Sequence, residues 1–389
     1  MSDSLRGSVA VVGVAESDLG QVAPGLTALD LAGQGAARAL ADAGLTTRDV
    51  DGLFTVVRGK QFSPLDVGEY LGIRPRYSDG TNVGGSSFLT HLHHAALALT
   101  AGECDVALIT FGSTARSESG GSRLVRAAGP EQPDYDSEFR PRYPMSAYAL
   151  AAARHMYEFG TTKEQLAEVA VAARQWASLN PKAFVRDPIT VADVLARPIL
   201  SSPFGSLDCC LVTGGGGAAV LVRAEEADDH AKPPVYLLGA GEAHWHRWIA
   251  QMPDLTTTAT VDSAGRAFAM AGIGPSDVDV LQLYDAFTIN PILFLEDMGF
   301  CAKGEGGPFV SGGRIAPGGA LPVNTTGGGL SYCHPGMYGI FTIIESVRQL
   351  RGEAGDRQVE GAEIGVAHGN GLHLSSQATA VFGTAATLG

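Results

Sequence analysis

Short apolar runs recur along the chain and are separated by stretches with a helical period. The runs at residues 9–14, 106–111, 235–238 and 364–367 are rich in β-branched and aliphatic side chains, which predicts buried strands. The stretches between them place apolar residues three or four positions apart, as amphipathic helices do. Strands that alternate with helices in this way predict an α/β protein.

The same strand and helix pattern occurs twice. The segment RALADAG at 38–44 lines up without a gap against RAFAMAG at 266–272, and the match continues through Asp-Val-Asp at 49–51 and 277–279. A glycine ends each segment, where a helix commonly stops. The chain therefore contains two consecutive units of one design.

We place an N-terminal half at 1–230 and a C-terminal half at 231–389, and we expect two sheets with helices between and outside them. Residues from about 113 to 203 have no counterpart of equal length in the second half. They include helical patterns at 147–159 and 163–179. This insertion is predicted to form a cap over the active face of the first half, because long functional loops tend to lie there.

Charge and cysteine content narrow the class of protein. The 389 residues carry a formal net charge of −14, and no basic stripe is visible, which argues against a nucleic-acid partner. The apolar run near the N-terminus is too short for a signal peptide or a membrane span. Five scattered cysteines fit a reducing compartment. We therefore expect a cytoplasmic protein.

Two histidine-rich segments have a plain structural interpretation. His91 and His94 share one helix face with His93 nearby, but no carboxylate or cysteine joins them at metal-ligand spacing. A packed or solvated helix is therefore predicted, with no metal. The cluster at 244–248 is expected to pack in a loop, although it could line an acyl pocket. The glycines at 214–217 lack the Gly-Lys-Ser/Thr of a phosphate-binding loop.

Several longer motifs, in contrast, are specific. Together they resemble the sterol-carrier-protein type of thiolase over most of the chain. They are Tyr-Asp-Ala-Phe-Thr at 284–288, Leu-Glu-Asp-Met-Gly-Phe at 295–300, Lys-Gly-Glu-Gly-Gly at 303–307, the glycine-rich segments at 312–319 and 322–328, His-Pro-Gly at 334–336, Asn-Val-Gly-Gly-Ser-Ser at 82–87 and Leu-Asp-Cys-Cys at 207–210.

The resemblance implies a thiolase fold, with duplicated α/β halves in a five-layer αβαβα sandwich. It also shows what is missing. Gly85 stands where such enzymes carry the nucleophilic cysteine, and His368 stands where they carry the second cysteine. Tyr284 replaces the usual Asn or His, so only His334 of the usual set remains. Because thioester exchange needs the first thiolate, ordinary thiolysis is not expected.

Retro-aldol cleavage of a β-hydroxyacyl-CoA needs no covalent intermediate, only a base, donors to the thioester oxygen and an acid for the α-carbon. The altered positions resemble the thiolase-like aldolases of bacterial steroid side-chain breakdown, whose two motif tyrosines map onto this sequence. The implied catalytic residues are Tyr284, Tyr332, His334 and His368. The implied substrate-binding positions are Gly85, Ser86, Asp285, Gly328 and Gly371.

The same resemblance implies a substrate and partners. The substrate would be a steroid side-chain CoA thioester, cleaved to a ketone and a short acyl-CoA such as propionyl-CoA. No cofactor is expected beyond the CoA of the substrate. Such aldolases work with a zinc-ribbon and OB-fold partner protein, and thiolases pair through their first halves. A homodimer within a heterotetramer is therefore implied.

Two other functions remain open. Cys333 lies between Tyr332 and His334, so the chain could be an acetyl-CoA acyltransferase or 3-ketoacyl-CoA thiolase that uses another nucleophile. Alternatively, the chain could be a non-catalytic acyl-CoA-binding subunit of a partner enzyme. The presence of two tyrosines and two histidines in the site motifs favours catalysis.

Overall fold

Strands and helices alternate along the chain as predicted. The computed structural model describes residues 5–120, 136 and 138–389. The strands are β1 Val9–Glu16, β2 Gly52–Thr55, β3 Tyr77–Asp79, β4 Val106–Ser113, β5 Ile199–Ser201, β6 Phe204–Gly205, β7 Gly215–Arg223, β8 Val235–His244, β9 Val280–Leu283, β10 Ile364–Gly371 and β11 Ser376–Gly383. The helices are α1 Ala28–Ala43, α2 Ser63–Leu71, α3 Ser87–Thr100, α4 Ala115–Glu118, α5 Met145–Phe159, α6 Lys163–Ser178, α7 Val191–Leu195, α8 Thr260–Ala271, α9 Ile289–Asp297, α10 Gly306–Val310 and α11 Gly339–Leu350.

The sheet repeats one topology in its two halves. The strand order is β3-β2-β4-β7-β1 followed by β8-β11-β10-β9. In each half a parallel pair (β2 with β4, β9 with β10) is followed, towards the centre of the sheet, by two antiparallel pairs. The counterpart of β3 is a single parallel bridge between Leu281 and Val323. The duplication predicted from the sequence is thus confirmed.

The two half-sheets differ from expectation in one respect, because they are joined rather than separate. The pairs Ala10 with Tyr236 and Val11 with Val235 connect β1 to β8, which makes one nine-stranded sheet of the described strands. Both strands stand at the inner edge of their half-sheet, and β1 is buried along its whole length. Pairing therefore satisfies backbone groups that would otherwise be unpaired in the core.

Helices form layers inside and outside the half-sheets. Helix α1 packs on β1, β4 and β7, and α8 packs in the same way on β8 and β11. Helices α3 and α11 contact each other and strands of both halves, so they form the middle layer. The predicted ends of the outer helices are confirmed, since Gly44 and Gly272 adopt left-handed conformations with φ of 76° and 70°.

The insertion contains the two predicted helices, α5 and α6, and the short hairpin β5–β6. Its residues 121–135 and 137 lie outside the described part of the chain. Buried polar contacts fasten α5 to the second half, where His155 Nε2 lies 3.0 Å from both carboxylate oxygens of Glu296 on α9. Within the described residues, none of the helices has both the length and the apolar character of a bilayer span.

Candidate active site

Loops from both halves meet at the N-termini of the two middle helices. The turn Gly84–Ser86 leads into α3, and the loop of residues 324–338 leads into α11. A Cβ placed on Gly339 would lie 2.2 Å from the carbonyl oxygen of Gly85, so these two turns touch. Tyr284 follows β9 directly, and its backbone N–H donates to the carbonyl of His368 at 3.1 Å. The topology therefore brings together the motifs that the sequence singled out.

Gly85 is tied to Tyr284 by packing. A Cβ on Gly85 would lie 2.1 Å from Cε2 and 2.6 Å from Cζ of Tyr284, and 2.6 Å from the carbonyl oxygen of Asn370. Real side-chain carbons do not approach so closely. The tyrosine ring occupies the space that a nucleophilic cysteine side chain would need, so the two replacements belong together.

Tyr284 and His334 form a hydrogen-bonded pair. The phenolic oxygen lies 2.9 Å from Nε2 of His334, and the rings meet edge to face at 5.5 Å. Burial, with a smaller contribution from the Arg58 guanidinium, lowers the pKa of His334 to about 4. Burial also raises the pKa of Tyr284 well above 10. At neutral pH the pair is therefore a neutral phenol beside a neutral imidazole.

Asp285 organises the glycine-rich loop. Its buried carboxylate accepts hydrogen bonds from the backbone N–H of Gly329 at 2.5 Å and, more weakly, of Leu330 at 3.4 Å. Gly328 has a φ of 60°, and a Cβ there would lie 2.1 Å from that carboxylate. Burial raises the pKa of Asp285 to about 7. Asp285 and Gly328 thus shape the loop that carries His334.

Two further tyrosines lie at this site and were missed from the sequence. The Tyr338 ring meets Tyr284 edge to face at 5.8 Å and stacks with His334 at 6.5 Å. Tyr148, from α5 of the insertion, packs on Phe287 at 4.5 Å, and its phenol raises the pKa of Tyr284. Tyr338 follows the His-Pro-Gly motif closely enough to have been noticed, but nothing in the sequence marks Tyr148.

Tyr332 faces a different set of groups. Its hydroxyl donates to Glu16 Oε1 at 2.8 Å, and the same carboxylate binds Arg348 and Lys182. Burial raises the Tyr332 pKa well above 10, and the Glu16 carboxylate raises it further. The structure therefore does not place this hydroxyl on the pair formed by Tyr284 and His334. A catalytic role for Tyr332 stays a prediction.

The imidazole of His368 contacts a different set of side chains. It is fully buried, with Nδ1 at 2.9 Å from Thr379 Oγ1 and Nε2 at 3.0 Å from Gln377 Oε1. Burial lowers the pKa of His368 to about 3. The ring meets Phe294 edge to face at 4.5 Å. Its surroundings are those of a neutral core histidine, so its catalytic role also stays a prediction.

The remaining predicted binding positions, Ser86 and Gly371, shape the backbone around Gly85. The Ser86 hydroxyl donates to the carbonyl of Val83 and lies 2.6 Å from Ser376 Oγ. A Cβ on Gly371 would lie 1.8 Å from the same carbonyl oxygen of Val83. Both residues therefore fix the turn that contains Gly85, and their contact with substrate stays a prediction.

The two histidine-rich segments meet each other around Glu242. Nε2 of His94 lies 3.2 Å from Glu242 Oε1, and Nδ1 lies 2.5 Å from Asp79. These two carboxylates raise the pKa of His94 to about 9. His244 lies 3.5 Å from Glu242 on its other side. In the described part of the chain no group of three or more His, Cys, Asp or Glu side chains is arranged to hold a metal.

The cysteines differ in their access to the site. Cys333 is fully buried, which raises the pKa of its thiol well above 9. Cys210 is partly exposed and lies near enough to Tyr284 to raise the pKa of that phenol. Cys210 is therefore the thiol to examine at this site, although the sequence pointed to Cys333.

Comparison with known proteins agrees with this geometry. Residues 241–384 match the family model described as Thiolase C-terminal domain-like. The chain is 34% identical to an acetyl-CoA acetyltransferase of Methanothermobacter thermautotrophicus, over 96% of this chain and 99% of the relative. It is 33% identical to the 17-hydroxy-3-oxo-4-pregnene-20-carboxyl-CoA lyase of Mycobacterium tuberculosis, over 90% of this chain and 92% of that protein.

A solved structure is similar over nearly the whole fold. The Ltp2-ChsH2(DUF35) aldolase superposes with a TM-score of 0.88 at 30% identity, over 98% of both chains. The relatives include both an acyltransferase and lyases, so similarity establishes the family and leaves the reaction to the site. The chain belongs to the thiolase superfamily, among its sterol-carrier-protein type, thiolase-like members.

Proposed function

We propose that this chain is a carbon–carbon lyase that cleaves a β-hydroxyacyl-CoA by a retro-aldol reaction. One observation carries the proposal: the Tyr284 ring fills the space beside Gly85 that a nucleophilic thiolate would occupy. In its place stands a phenol hydrogen-bonded to a neutral histidine at 2.9 Å. This pair can move protons but cannot hold an acyl group while one CoA leaves and another arrives.

The proposed reaction begins at the β-hydroxyl group. Its proton passes to the Tyr284 oxygen as the phenolic proton moves to Nε2 of His334, so no free phenolate accumulates. The oxygen electrons form the new ketone, the bond between the α- and β-carbons breaks, and its electrons form the thioester enolate. The same proton returns through Tyr284 to the α-carbon. All atoms and electrons balance, and no oxidant or reductant is required.

The electrostatics of the site fix the resting protonation states and require the two proton transfers to occur together with cleavage. Since the pKa of Tyr284 lies well above 10, the phenol is a poor base by itself. The adjacent imidazole, with its pKa near 4, is unprotonated at neutral pH and can accept the phenolic proton. His334 is therefore an unprotonated but weakly basic acceptor, so the phenolic proton moves to it only as the β-hydroxyl proton arrives at Tyr284.

For the substrate we propose a steroid side-chain thioester. The support is the similar lyase named for 17-hydroxy-3-oxo-4-pregnene-20-carboxyl-CoA. Retro-aldol cleavage of that thioester leaves a 17-ketone on the ring system and releases propionyl-CoA.

We also propose a zinc-ribbon and OB-fold partner in a heterotetramer around a homodimer, supported by the second protein, ChsH2(DUF35), in the similar aldolase. No cofactor is invoked beyond the CoA of the substrate.

A mass-spectrometric assay tests the proposal. The purified full chain, alone and with a DUF35-type partner, is given 17-hydroxy-3-oxo-4-pregnene-20-carboxyl-CoA without free CoA. We expect a ketone and propionyl-CoA. Tyr284→Phe keeps the ring against Gly85 but removes the hydroxyl, so turnover should fall by roughly 10²- to 10⁴-fold. Tyr157→Phe, at a tyrosine that is 83% exposed, is the control. Unchanged turnover in Tyr284→Phe would contradict the mechanism.

The acyltransferase alternative requires a thiol. Two observations support the acyltransferase alternative. They are the 34% identity to an acetyl-CoA acetyltransferase and the position of Cys210 near Tyr284. A retro-aldolase should retain cleavage in both Cys210→Ala and Cys333→Ala. Cleavage of a β-ketoacyl-CoA that depends on added CoA, and that either substitution abolishes, would favour the acyltransferase instead. A chain that binds acyl-CoA but turns over neither thioester would be a non-catalytic binding subunit.

A further inference from the structure

The turn between β10 and β11 has a backbone conformation that leucine seldom adopts. Residues 372–375 connect the two strands, and among them Leu372 and Leu374 are both left-handed, with φ of 56° and 62°. Gly and Asn accept this conformation more readily, and strain of this kind clusters at functional sites. Burial explains Leu374, which has no solvent exposure, but it does not explain Leu372, which is 48% exposed. A strained leucine at the surface therefore points to a contact with another molecule.

Leu372 lies beside the turn on which the Tyr284 ring packs. A Cβ placed on Gly84 would lie 2.8 Å from the backbone nitrogen of Leu372 and 2.9 Å from Cα of Gly371. Gly84 directly precedes Gly85, whose missing side chain leaves room for the Tyr284 ring. Backbone contacts therefore place the exposed leucine at the edge of the candidate active site.

Hydrogen bonds hold this turn from within the protein. The hydroxyl of Tyr148, on α5, donates to the carbonyl of Leu372 at 2.8 Å and accepts from Nδ2 of Asn370 at 2.7 Å. Nε2 of Gln377 donates to the carbonyl of Leu374 at 3.2 Å. Both left-handed residues thus have their carbonyls bound, so the exposed leucine is held in place beside the catalytic turn.

An apolar cavity borders the same turn. The Tyr143 ring stacks on His373 of the turn at 4.4 Å, and Tyr143 also lines a cavity of about 620 Å³. This cavity lies between the insertion and the second half, and its apolar lining includes Phe139, Leu150, Ala153, Ile249, Met252 and Leu255. Its volume is within the range of roughly 300–1,000 Å³ that small-molecule sites occupy. The turn and the cavity thus offer adjoining apolar surfaces.

The lining of this cavity favours hydrocarbon over charged groups. Among the described residues that line it there is no lysine or arginine, so the phosphates of CoA have no cationic partner there. The acidic residue of the lining, Asp136, accepts the hydrogen bond of the Tyr143 hydroxyl at 2.5 Å. The hydroxyls of Ser201 and Ser202 can donate to an oxygen on an otherwise apolar ligand. These features fit a polycyclic hydrocarbon that carries a carbonyl group.

We propose that the apolar ring system of the thioester lies against Leu372 and extends into this cavity. The inference rests on the proposed function, because it locates the substrate whose cleavage is proposed there. In that substrate the β-carbon is carbon 17 of the ring system, so the rings begin where Tyr284 acts and continue away from it. The exposed leucine and the cavity supply an apolar surface along that course, and burial of apolar surface strengthens binding.

Binding of two thioesters that cannot undergo the cleavage tests the proposal. 3-Oxo-4-pregnene-20-carboxyl-CoA lacks the 17-hydroxyl, and propionyl-CoA carries the same side chain without the rings. Calorimetric titration of the full chain, alone and with a DUF35-type partner, should show the steroid compound binding at least about tenfold more tightly. Leu372→Asn should weaken its binding by roughly tenfold and leave propionyl-CoA binding unchanged. Because Asn accepts the left-handed backbone, the thermal midpoint should stay the same or rise.

A second variant tests the cavity. Ala153 on α5 lines the cavity and is exposed, so Ala153→Trp should fill space without disturbing the core. Binding of the steroid thioester should weaken by roughly tenfold or more, with propionyl-CoA binding unchanged. Ala37→Trp on α1 and Leu65→Asn on α2 are the matched controls, since both residues are exposed and neither lines the cavity. They should change neither affinity. If a variant fails to fold, Leu372→Gly or Leu150→Glu replaces it.

The proposal requires both variants to weaken steroid binding selectively. Equal binding of the two thioesters by the unmodified chain would overturn it, as would unchanged steroid affinity in either folded variant or an equal loss for propionyl-CoA. Loss of the DUF35-type partner with retained steroid affinity in Ala153→Trp would also overturn it and make the cavity a docking surface. Selective binding without cleavage of the 17-hydroxy compound would keep the ring site and refute the lyase. Cleavage that neither variant alters would keep the lyase and refute the ring site.

Discussion

Gly85 can be exchanged only together with Tyr284, because the two share one space. In Gly85→Cys the new Cβ would begin 2.1 Å from the tyrosine ring, so the ring must move. We expect the free energy of unfolding to fall by roughly 1–3 kcal/mol, as overpacking does, and cleavage to be lost. No thiolase activity should appear. Urea unfolding and the cleavage assay measure both effects.

Suitable controls separate overpacking from a general effect of glycine replacement. A Cβ on Gly265, exposed in α8, meets nothing within 4 Å, so Gly265→Ala should be neutral or stabilise by roughly 0.5–1 kcal/mol. The double variant Gly85→Cys with Tyr284→Ala should recover part of the lost stability. If Gly85→Cys alone keeps full stability and cleavage, the shared-space argument is wrong.

Replacement of Tyr332 is expected to lower the stability of the protein more than its turnover. Its hydroxyl donates to the buried carboxylate of Glu16, which also binds Arg348. Removing a hydrogen bond to a buried charged group in Tyr332→Phe should cost about 1–3 kcal/mol of unfolding free energy. Turnover should fall only to the extent that the substitution disturbs the loop of residues 324–338. A loss of turnover as deep as that of Tyr284→Phe, without loss of stability, would instead give the Tyr332 hydroxyl a chemical role.

The sequence identified some of the individual residues of the candidate active site. Gly85, Tyr284 and His334 were found because each stands inside a motif, and the structure brings them together. Tyr148 was missed because its importance depends on which side chains face it, and that follows from helix packing rather than from spacing. Motif position alone fixes where a backbone goes, but not where a hydroxyl or imidazole points.

Among the elements, α5 carries Tyr148 to the site and is held there by a buried charge cluster. Glu296 contacts His155 at 3.0 Å and Lys303 at 3.2 Å. Removing the charge of one member of a buried ion pair is strongly destabilising, so Glu296→Gln should cost about 3 kcal/mol. Cleavage should weaken as well, because α5 loses its fixed position on α9. Chemical unfolding and steady-state kinetics report the two effects.

The matched control lies on α5, the helix that Glu296 anchors. Glu158 forms an exposed pair with Arg154 one turn earlier, and such pairs contribute little. Glu158→Gln should therefore change stability by no more than about 0.5 kcal/mol. Equal effects from the two substitutions would show that burial does not distinguish these pairs and would contradict the anchoring role of Glu296.

Element positions were predicted well, but some element ends were not. Helix α5 was expected at 147–159 and begins two residues earlier, at Met145. Strand β10 was expected at 364–367 and continues to Gly371. Its extra residues are polar or glycine, so they gave no apolar signal, yet they pair with β11 along their whole length. The unpredicted ends are the parts of the strands that reach the site.

At the scale of the whole molecule, duplication explains where the site lies. Helices α3 and α11 occupy equivalent places in the two halves, and the turn before α3 touches the first residue of α11, at Gly85 and Gly339. Sequence self-similarity predicted the repeat, because the strand and helix patterns match without a gap. It could not predict the joined sheet, since the pairing of β1 with β8 involves only two residue pairs and leaves no mark on the pattern.

Buried histidines should make the whole molecule sensitive to acid. Burial lowers the pKa of His91 to about 4, of His373 to about 4 and of His368 to about 3. The unfolded chain takes up these protons as the pH falls through about 6.5, whereas the folded chain does so only near pH 4 or below. The unfolded state then binds more protons, so stability falls between pH 6.5 and 4.

Other groups change the profile in known directions. His94, with its pKa raised to about 9, adds stability that is complete below pH 6.5 and is lost as the pH rises to 9. Asp285, with its pKa raised to about 7, makes stability fall as the pH rises from about 4 to 7. Asp285 and Asp297, whose pKa values burial raises, oppose four buried histidines with pKa near 4 or below, His334 among them, so a net loss of stability on acidification is still expected.

Urea unfolding at pH 6.5 and pH 5 tests this expectation on one residue. His91 lies between the rings of Phe54 and Phe88, so a phenyl ring is accommodated there at the expense of the contact with Thr81. His91→Phe removes one group that the folded state keeps unprotonated, and each such group contributes about 1.4 kcal/mol per pH unit. Because the unfolded histidine is already half protonated at pH 6.5, the loss of stability between the two pH values should be smaller by about 1.5 kcal/mol than in the unmodified chain. An unchanged loss would mean that His91 does not titrate differently in the folded and unfolded states.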